Sequence, residues 1–198
     1  MNDIIFSEGK NDVFLIGSIV EEIHDSPILK FHAEEEDYER FQQQESQCIR
    51  KFVPNPNYDT LAKSEGGKDP LKNAFTHFLD FVVSEDLKAH LLFDLDEESG
   101  ELSAFLNDLS DRVRQRYQGS GVTLGDATLQ KETATFIQAS VDVNKRESEI
   151  GSFNVYALRP SLEEITDVSD GYNDTEEKII EFVQDRTQLV GALSDAIS

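Results

Sequence analysis

Three short stretches of this chain gather oxygen-bearing side chains at spacings that suit a hard cation. They are Glu8-Gly9-Lys10-Asn11-Asp12, Asp94-Leu95-Asp96 and Ser161-Leu162-Glu163-Glu164. Mg²⁺ and Mn²⁺ take oxygen ligands, and an Asp-x-Asp turn offers two carboxylates one residue apart. Each stretch also has a plainer reading. Asp12 or Asn11 suits the cap of a helix, Asp94 to Glu98 suits an acidic loop, and Ser161 with Glu164 suits a capping box. The conjunction says more than any member. Carboxylates brought together repel, and a divalent ion removes that penalty. The chemistry that uses such a site is phosphoryl transfer or phosphodiester cleavage.

Convergence requires a scaffold, and the pattern of apolar residues supplies one. Ile4-Ile5-Phe6 is a short buried strand ended by Ser7-Glu8-Gly9, and Val13, Ile16, Val20 and Ile23 then trace one helix face. Ile28–Phe31 reads as a second strand. Residues 34–69 read as a polar, irregular insertion marked by Pro54, Pro56 and Gly66-Gly67, with a short helix around Tyr38–Ile49. Pro70 opens a helix whose stripe is Leu71, Ala74, Phe75, Phe78, Leu79 and Val82. Ala89–Phe93 is a strand, and Leu102, Phe105, Leu106, Leu109 and Val113 form the next helical stripe. Gly119–Gly125 reads as a loop, and Thr133–Val141 and Phe153–Leu158 as strands. Asp174 and Glu177 mark the start of one last helix near 175–197. Strands alternating with helices predict a single α/β domain over residues 1–198, with a mostly parallel central sheet flanked by helices. In such sheets ligands gather at the carboxyl ends of the strands, which is where all three acidic stretches fall.

The residues that carry these motifs resemble the Toprim domain. Ile4-Ile5-Phe6-Ser7-Glu8-Gly9-Lys10-Asn11-Asp12 is similar to its strand-Glu-Gly-x-x-Asp element, and Leu92-Phe93-Asp94-Leu95-Asp96 to its Asp-x-Asp element. Ser161-Leu162-Glu163 resembles the Ser-x-Glu element of nucleases of the OLD (overcoming lysogenization defect) family. Gly66-Gly67-Lys68-Asp69 looks like a stretch of small stand-alone Toprim proteins. The resemblance implies a Rossmann-like core of roughly four parallel strands and a Mg²⁺ or Mn²⁺ site. In that site Glu8 acts as acid/base or metal ligand, and Asp94 and Asp96 bind metal. Asp12, Ser161 and Glu163 complete it around one or two ions. The chain has no G-x-x-x-x-G-K-[ST] motif, so the ATPase partner of OLD nucleases is not encoded within these residues.

Composition narrows the partners. The chain has 198 residues with 18 Lys and Arg against 40 Asp and Glu, a net charge of −22. That balance opposes a generic electrostatic grip on DNA or RNA, which relies on clustered cations. A nucleic-acid partner must be met by a local strip, for which Lys10, Lys68, Arg112, Arg114 and Arg116 are the candidates, or through bound metal. A protein partner is the alternative, with the fold serving as a non-catalytic metal-binding or interaction module. The even spread of acids suits a salt-adapted, halophilic cytoplasm or an ordinary protein kept soluble by its charge. One cysteine, Cys48, excludes an internal disulfide framework and a Cys-rich zinc site. His24, His32, His77 and His90 have no metal-ligand spacing. No basic-then-apolar leader and no run of about 18 apolar residues occurs, so a cytoplasmic location without membrane contact is expected.

Overall fold

The computed structural model describes residues 2–32, 52, 57–85, 87–95, 102–167, 175–185 and 187–197. The chain runs β1 (Asp3–Ser7), α1 (Lys10–Ser18, continued by a π-helical turn Ile19–Ile23), β2 (Ile28–His32), β3 (Thr60–Ser64), α2 (Lys68–Ser84) and β4 (Lys88–Asp94). It continues with α3 (Leu102–Arg116), β5 (Val122–Glu132), β6 (Phe136–Lys145), β7 (Ser148–Leu158), α4 (Leu162–Thr166), α5 (Thr175–Gln184) and α6 (Gln188–Ala196). The strands form one seven-stranded sheet in the order β2-β3-β1-β4-β7-β6-β5. β2, β3, β1, β4 and β7 run parallel. β6 and β5 add an antiparallel edge.

The central strands are buried on both faces, so alternate residues feed two separate cores. Ile4, Phe6, Leu91, Phe93 and Val155 face α2 and α3, where Leu71, Phe75, Leu79, Leu109 and Val113 meet them. Ile5, Leu92, Tyr156 and Leu158 face the other way, onto Val13 and Ile16 of α1, Ile179 of α5 and Leu193 of α6. The apolar stripes expected over Leu71–Val82 and Leu102–Val113 are the buried faces of α2 and α3. Among the described residues, no helix is long and apolar enough to cross a membrane.

Four expectations change. The supposed polar insertion at 34–69 contains β3, an inner strand hydrogen-bonded between β1 and β2. Its sequence, Thr-Leu-Ala-Lys-Ser, hides this because Lys63 is 1 % exposed. Its ammonium pairs with buried Glu65 and lies 4.6 Å from the centroid of the Phe6 ring. The loop at Gly119–Gly125 gives way at Val122 to β5, whose outer half is exposed and therefore lacks an apolar alternation. The strand expected at Thr133–Val141 is shifted to Phe136–Lys145. Thr133 instead caps its entry, Oγ1 accepting from the Phe136 N–H at 3.1 Å. The single last helix is two, because Thr187 starts a new one by accepting the Val190 N–H at 3.3 Å. The short helix around Tyr38–Ile49, Cys48 and the Asp174 half of the capping pair lie outside the described residues.

Candidate carboxylate site at the strand ends

β1, β4 and β7 are neighbours in the sheet and point the same way. Their register pairs Ser7 with Leu92 and Asp94 with Leu158, so the three ends finish side by side. Glu8 follows the first, Asp94 ends the second, and Ser161 and Glu163 follow the third after a two-residue turn at Arg159-Pro160.

The three loops are stitched to one another. Glu8 Oε2 accepts the backbone N–H of Asp94 at 3.3 Å. The Asp94 carboxylate Oδ1 accepts the N–H of Leu162 at 3.3 Å. Glu163 Oε1 accepts from Asn11 Nδ2 at 2.8 Å, which returns the chain of contacts to the start of α1. Asp12 accepts the Gly9 N–H at 2.8 Å through Oδ2 and is 4 % exposed. The Gly66 and Gly67 N–H groups both donate to the Glu8 carbonyl, at 2.9 and 3.0 Å. Gly67 holds φ 138°, a conformation that side chains rarely adopt, so the double glycine serves to bring the β3–α2 turn against Glu8.

This crowding shows in the acids themselves. Burial pushes the Asp94 carboxyl up to about 7, helped by the charges of Glu163 and Glu8 and offset by the Leu162 N–H and by Lys68. Burial likewise holds Asp12 well above the usual carboxylate range, with Asp94, Glu8 and Glu163 adding to the effect. Carboxylate oxygens are the donor type that divalent cations take, and crowding raises the affinity of each for a proton.

The expected residues divide as follows. Glu8, Asp12, Asp94 and Glu163 meet at one rim of the sheet. Ser161 is at that rim too, but its Oγ accepts the Glu164 N–H at 3.4 Å as the N-cap of α4, so the capping reading of this residue is realised. Asp96 lies outside the described residues. Among the described residues, no three His, Cys, Asp or Glu side chains stand close enough to grip an ion as they are. The sequence marks Asn11 only as a candidate helix cap and assigns Leu162 no part. Each acts through a hydrogen bond across more than 60 positions of chain, which no local spacing reveals.

A cleft of about 160 Å³ opens beside Asp94, lined by Lys68 and Lys72 of α2, Phe93 and Leu95, and Phe105 and Asp108 of α3 among others. The expected basic strip does not stand as a free field. Arg112 bonds Asp69 at 2.9 Å and Asp108 at 3.1 Å, Arg114 pairs with Asp111 at 3.0 Å, and Arg116 contacts His77 at 2.8 Å. No family model matches the chain, and no curated protein or solved structure matches it either.

Proposed function

We propose that the chain carries a Toprim-like site, related to those of OLD nucleases, for Mg²⁺- or Mn²⁺-dependent phosphodiester chemistry on DNA or RNA. The observation that carries this reading is the meeting of Glu8, Asp94 and Glu163 at three adjacent parallel strand ends, with Asp12 behind them. Glu8, Asp94 and Glu163 are the residues to hold the ion, with Asp96 and Ser161 the further candidates. When bound, the ion supplies charge neutralisation at the phosphate and a more acidic water. In hydrolysis the water oxygen bonds to phosphorus, the ester P–O bond breaks, the water proton passes to a carboxylate, and the departing oxygen takes a proton from solvent. In this reading Glu8 takes that proton, and its half-buried position at the rim and its bond from the Asp94 N–H support the role. Asp12 holds the β1–α1 turn closed by accepting the Gly9 N–H, with burial raising its carboxyl above the usual range.

A second reading is favoured by the pairing of Arg112 and Arg114 with aspartates and by the −22 charge: the same scaffold as a non-catalytic metal-binding or protein-interaction module. Incubating a labelled single strand with Mn²⁺ separates the two. Cleavage by the wild type that Asp94→Ala abolishes supports the enzyme. Intact nucleic acid under all salt conditions, with a protein co-purifying, supports the module.

A further inference from the structure

The sheet ends in an open strand. β5 is its last member and pairs with β6 on one side. Every residue from Asp126 to Glu132 is exposed. An edge strand offers its outward N–H and C=O groups to another strand, unless charge, bulges or a cover prevent it. Two bulges, at Leu124–Ala127 and Leu129–Lys131, bracket a regular piece of β5, Ala127-Thr128-Leu129. That piece carries no charge. Leu129 is 57 % exposed, the most exposed large apolar side chain among the described residues.

Charge limits what can approach this edge. From Val122 to Leu158, the span of β5, β6 and β7, five acids stand against three bases, a net −2. The other 161 residues hold −20 of the −22. A cationic partner is drawn to that acidic remainder. Two copies of the chain, in contrast, meet with least repulsion through these three strands.

Geometry fixes the register. Two β5 strands related by a twofold axis pair antiparallel, and residues directly opposite share a face. Centred on Thr128, the pairing sets Leu129 against the partner's Ala127, on the face where Val141 and Ala139 of β6 are already buried. Thr128 then meets the partner's Thr128 on the other face, and Asp126 stands opposite the partner's Gln130. Centring on Leu129 instead sets Asp126 against the partner's Glu132, two like charges. Centring on Ala127 leaves Leu129 against the partner's Gly125, which has no side chain to cover it. We propose that the chain dimerises edge to edge through β5, about a twofold axis at Thr128, joining two sheets into one. The docking piece is short, which puts the dimer in the weak, reversible class. This inference does not depend on the metal chemistry above.

The test follows the full-length protein by sedimentation equilibrium from about 1 μM to about 1 mM, the range of weak complexes, at about 0.1 and about 1 M KCl. A monomer–dimer equilibrium that KCl tightens is expected. Leu129→Lys lowers the net negative charge, yet it should weaken the dimer by about tenfold or more. Thr128→Lys sets two ammonium groups face to face and should do the same. Ile150→Lys, at an exposed apolar side chain of β7 away from the edge, should leave the dimer unchanged. Far-UV circular dichroism checks that each variant is folded. As a second readout, Thr128→Cys should form an intermolecular disulfide under mild oxidation, since opposed Cα atoms of paired strands lie within disulfide reach. The wild type, with Cys48 alone, is its blank. A wild type that stays monomeric throughout overturns the proposal and leaves the edge to a strand of another protein or to solvent. A dimer indifferent to both β5 lysines, or one loosened by KCl, overturns it as well, because other surfaces or ion pairs then hold the copies together.

Discussion

Asp94 is the residue where the competing demands on this site meet. It ends a buried strand, it holds the Leu162 N–H, and it faces the charges of Glu163 and Glu8. Its carboxyl, raised from 3.8 to about 7, binds a proton more tightly in the folded than in the unfolded chain. Metal-free stability should therefore fall as pH rises from about 3.8 to about 7 and level off above. Asp94→Asn keeps the acceptor for Leu162 and removes the charge. At pH 8 without metal it should be more stable than the wild type by about 1–3 kcal/mol, read from urea unfolding. Its pH slope should shrink without vanishing, because Asp12 is raised in the same direction. Mg²⁺ should raise the melting temperature of the wild type by mass action and that of Asp94→Asn much less. Equal shifts in both would remove Asp94 from the ion's shell. Asn11 offers an independent check from the other side of the rim. Losing its 2.8 Å bond to Glu163 in Asn11→Ala should cost about 0.5–1.5 kcal/mol. Asn11→Asp should cost more without metal, by setting two carboxylates face to face, and Mg²⁺ should recover the difference. A thermal melt of each variant with and without Mg²⁺ decides it.

At the scale of elements, the site depends on turns as much as on strands. The β3–α2 turn reaches Glu8 only because Gly66 and Gly67 adopt φ 75° and 138°. A Cβ at Gly67 meets nothing closer than Pro70 Cδ at 3.7 Å, so the cost of Gly67→Ala is backbone strain, of about 1–3 kcal/mol. That variant should lose both stability and its Mg²⁺ shift, since the turn that fixes Glu8 moves. Thr187→Ala removes the cap of α6, far from the rim, and should cost about 0.5–2 kcal/mol with the Mg²⁺ shift preserved. Melting both proteins with and without Mg²⁺ separates a loss of fold from a loss of site. The strands and helices that carry the acids were legible in the sequence because each is a clean apolar run or stripe: Ile4-Ile5-Phe6, Leu91-Leu92-Phe93, and Leu71 to Val82. What escaped are elements whose burial is achieved by other means. β3 buries Lys63 by pairing it with Glu65 and resting it on Phe6, so its letters read as a polar insertion. β5 is an edge strand with few buried residues, and α5 and α6 share a stripe across the break at Thr187. The acids of the rim could be picked out because they follow strands. The bonds between them, such as Asn11 to Glu163, join positions 152 apart and follow from the order of the sheet alone.

For the whole molecule, the question is what its charge costs. Forty acids against 18 basic residues repel over the surface, and the ion pairs across α2 and α3 offset this only locally. Exposed pairs of that kind contribute roughly 0–1 kcal/mol each. Mutual repulsion reaches as far as the ionic atmosphere allows, about 10 Å at 0.1 M salt and about 3 Å at 1 M. KCl from 0.1 to 1 M (the two ends of that range) should therefore raise the melting temperature, because relief among many acids exceeds the loss from a few screened pairs. Asp94→Asn should show the same KCl response as the wild type, since one charge among forty hardly changes the total. It should differ from the wild type only toward Mg²⁺, whose effect belongs to the rim. A melting temperature that falls with KCl would mean the surface pairs, not the repulsion, dominate the balance. A KCl response as sensitive to Asp94→Asn as the Mg²⁺ response would mean that both salts act at the same place. The two titrations on two proteins thus separate a general adaptation to salt from a site built for one ion.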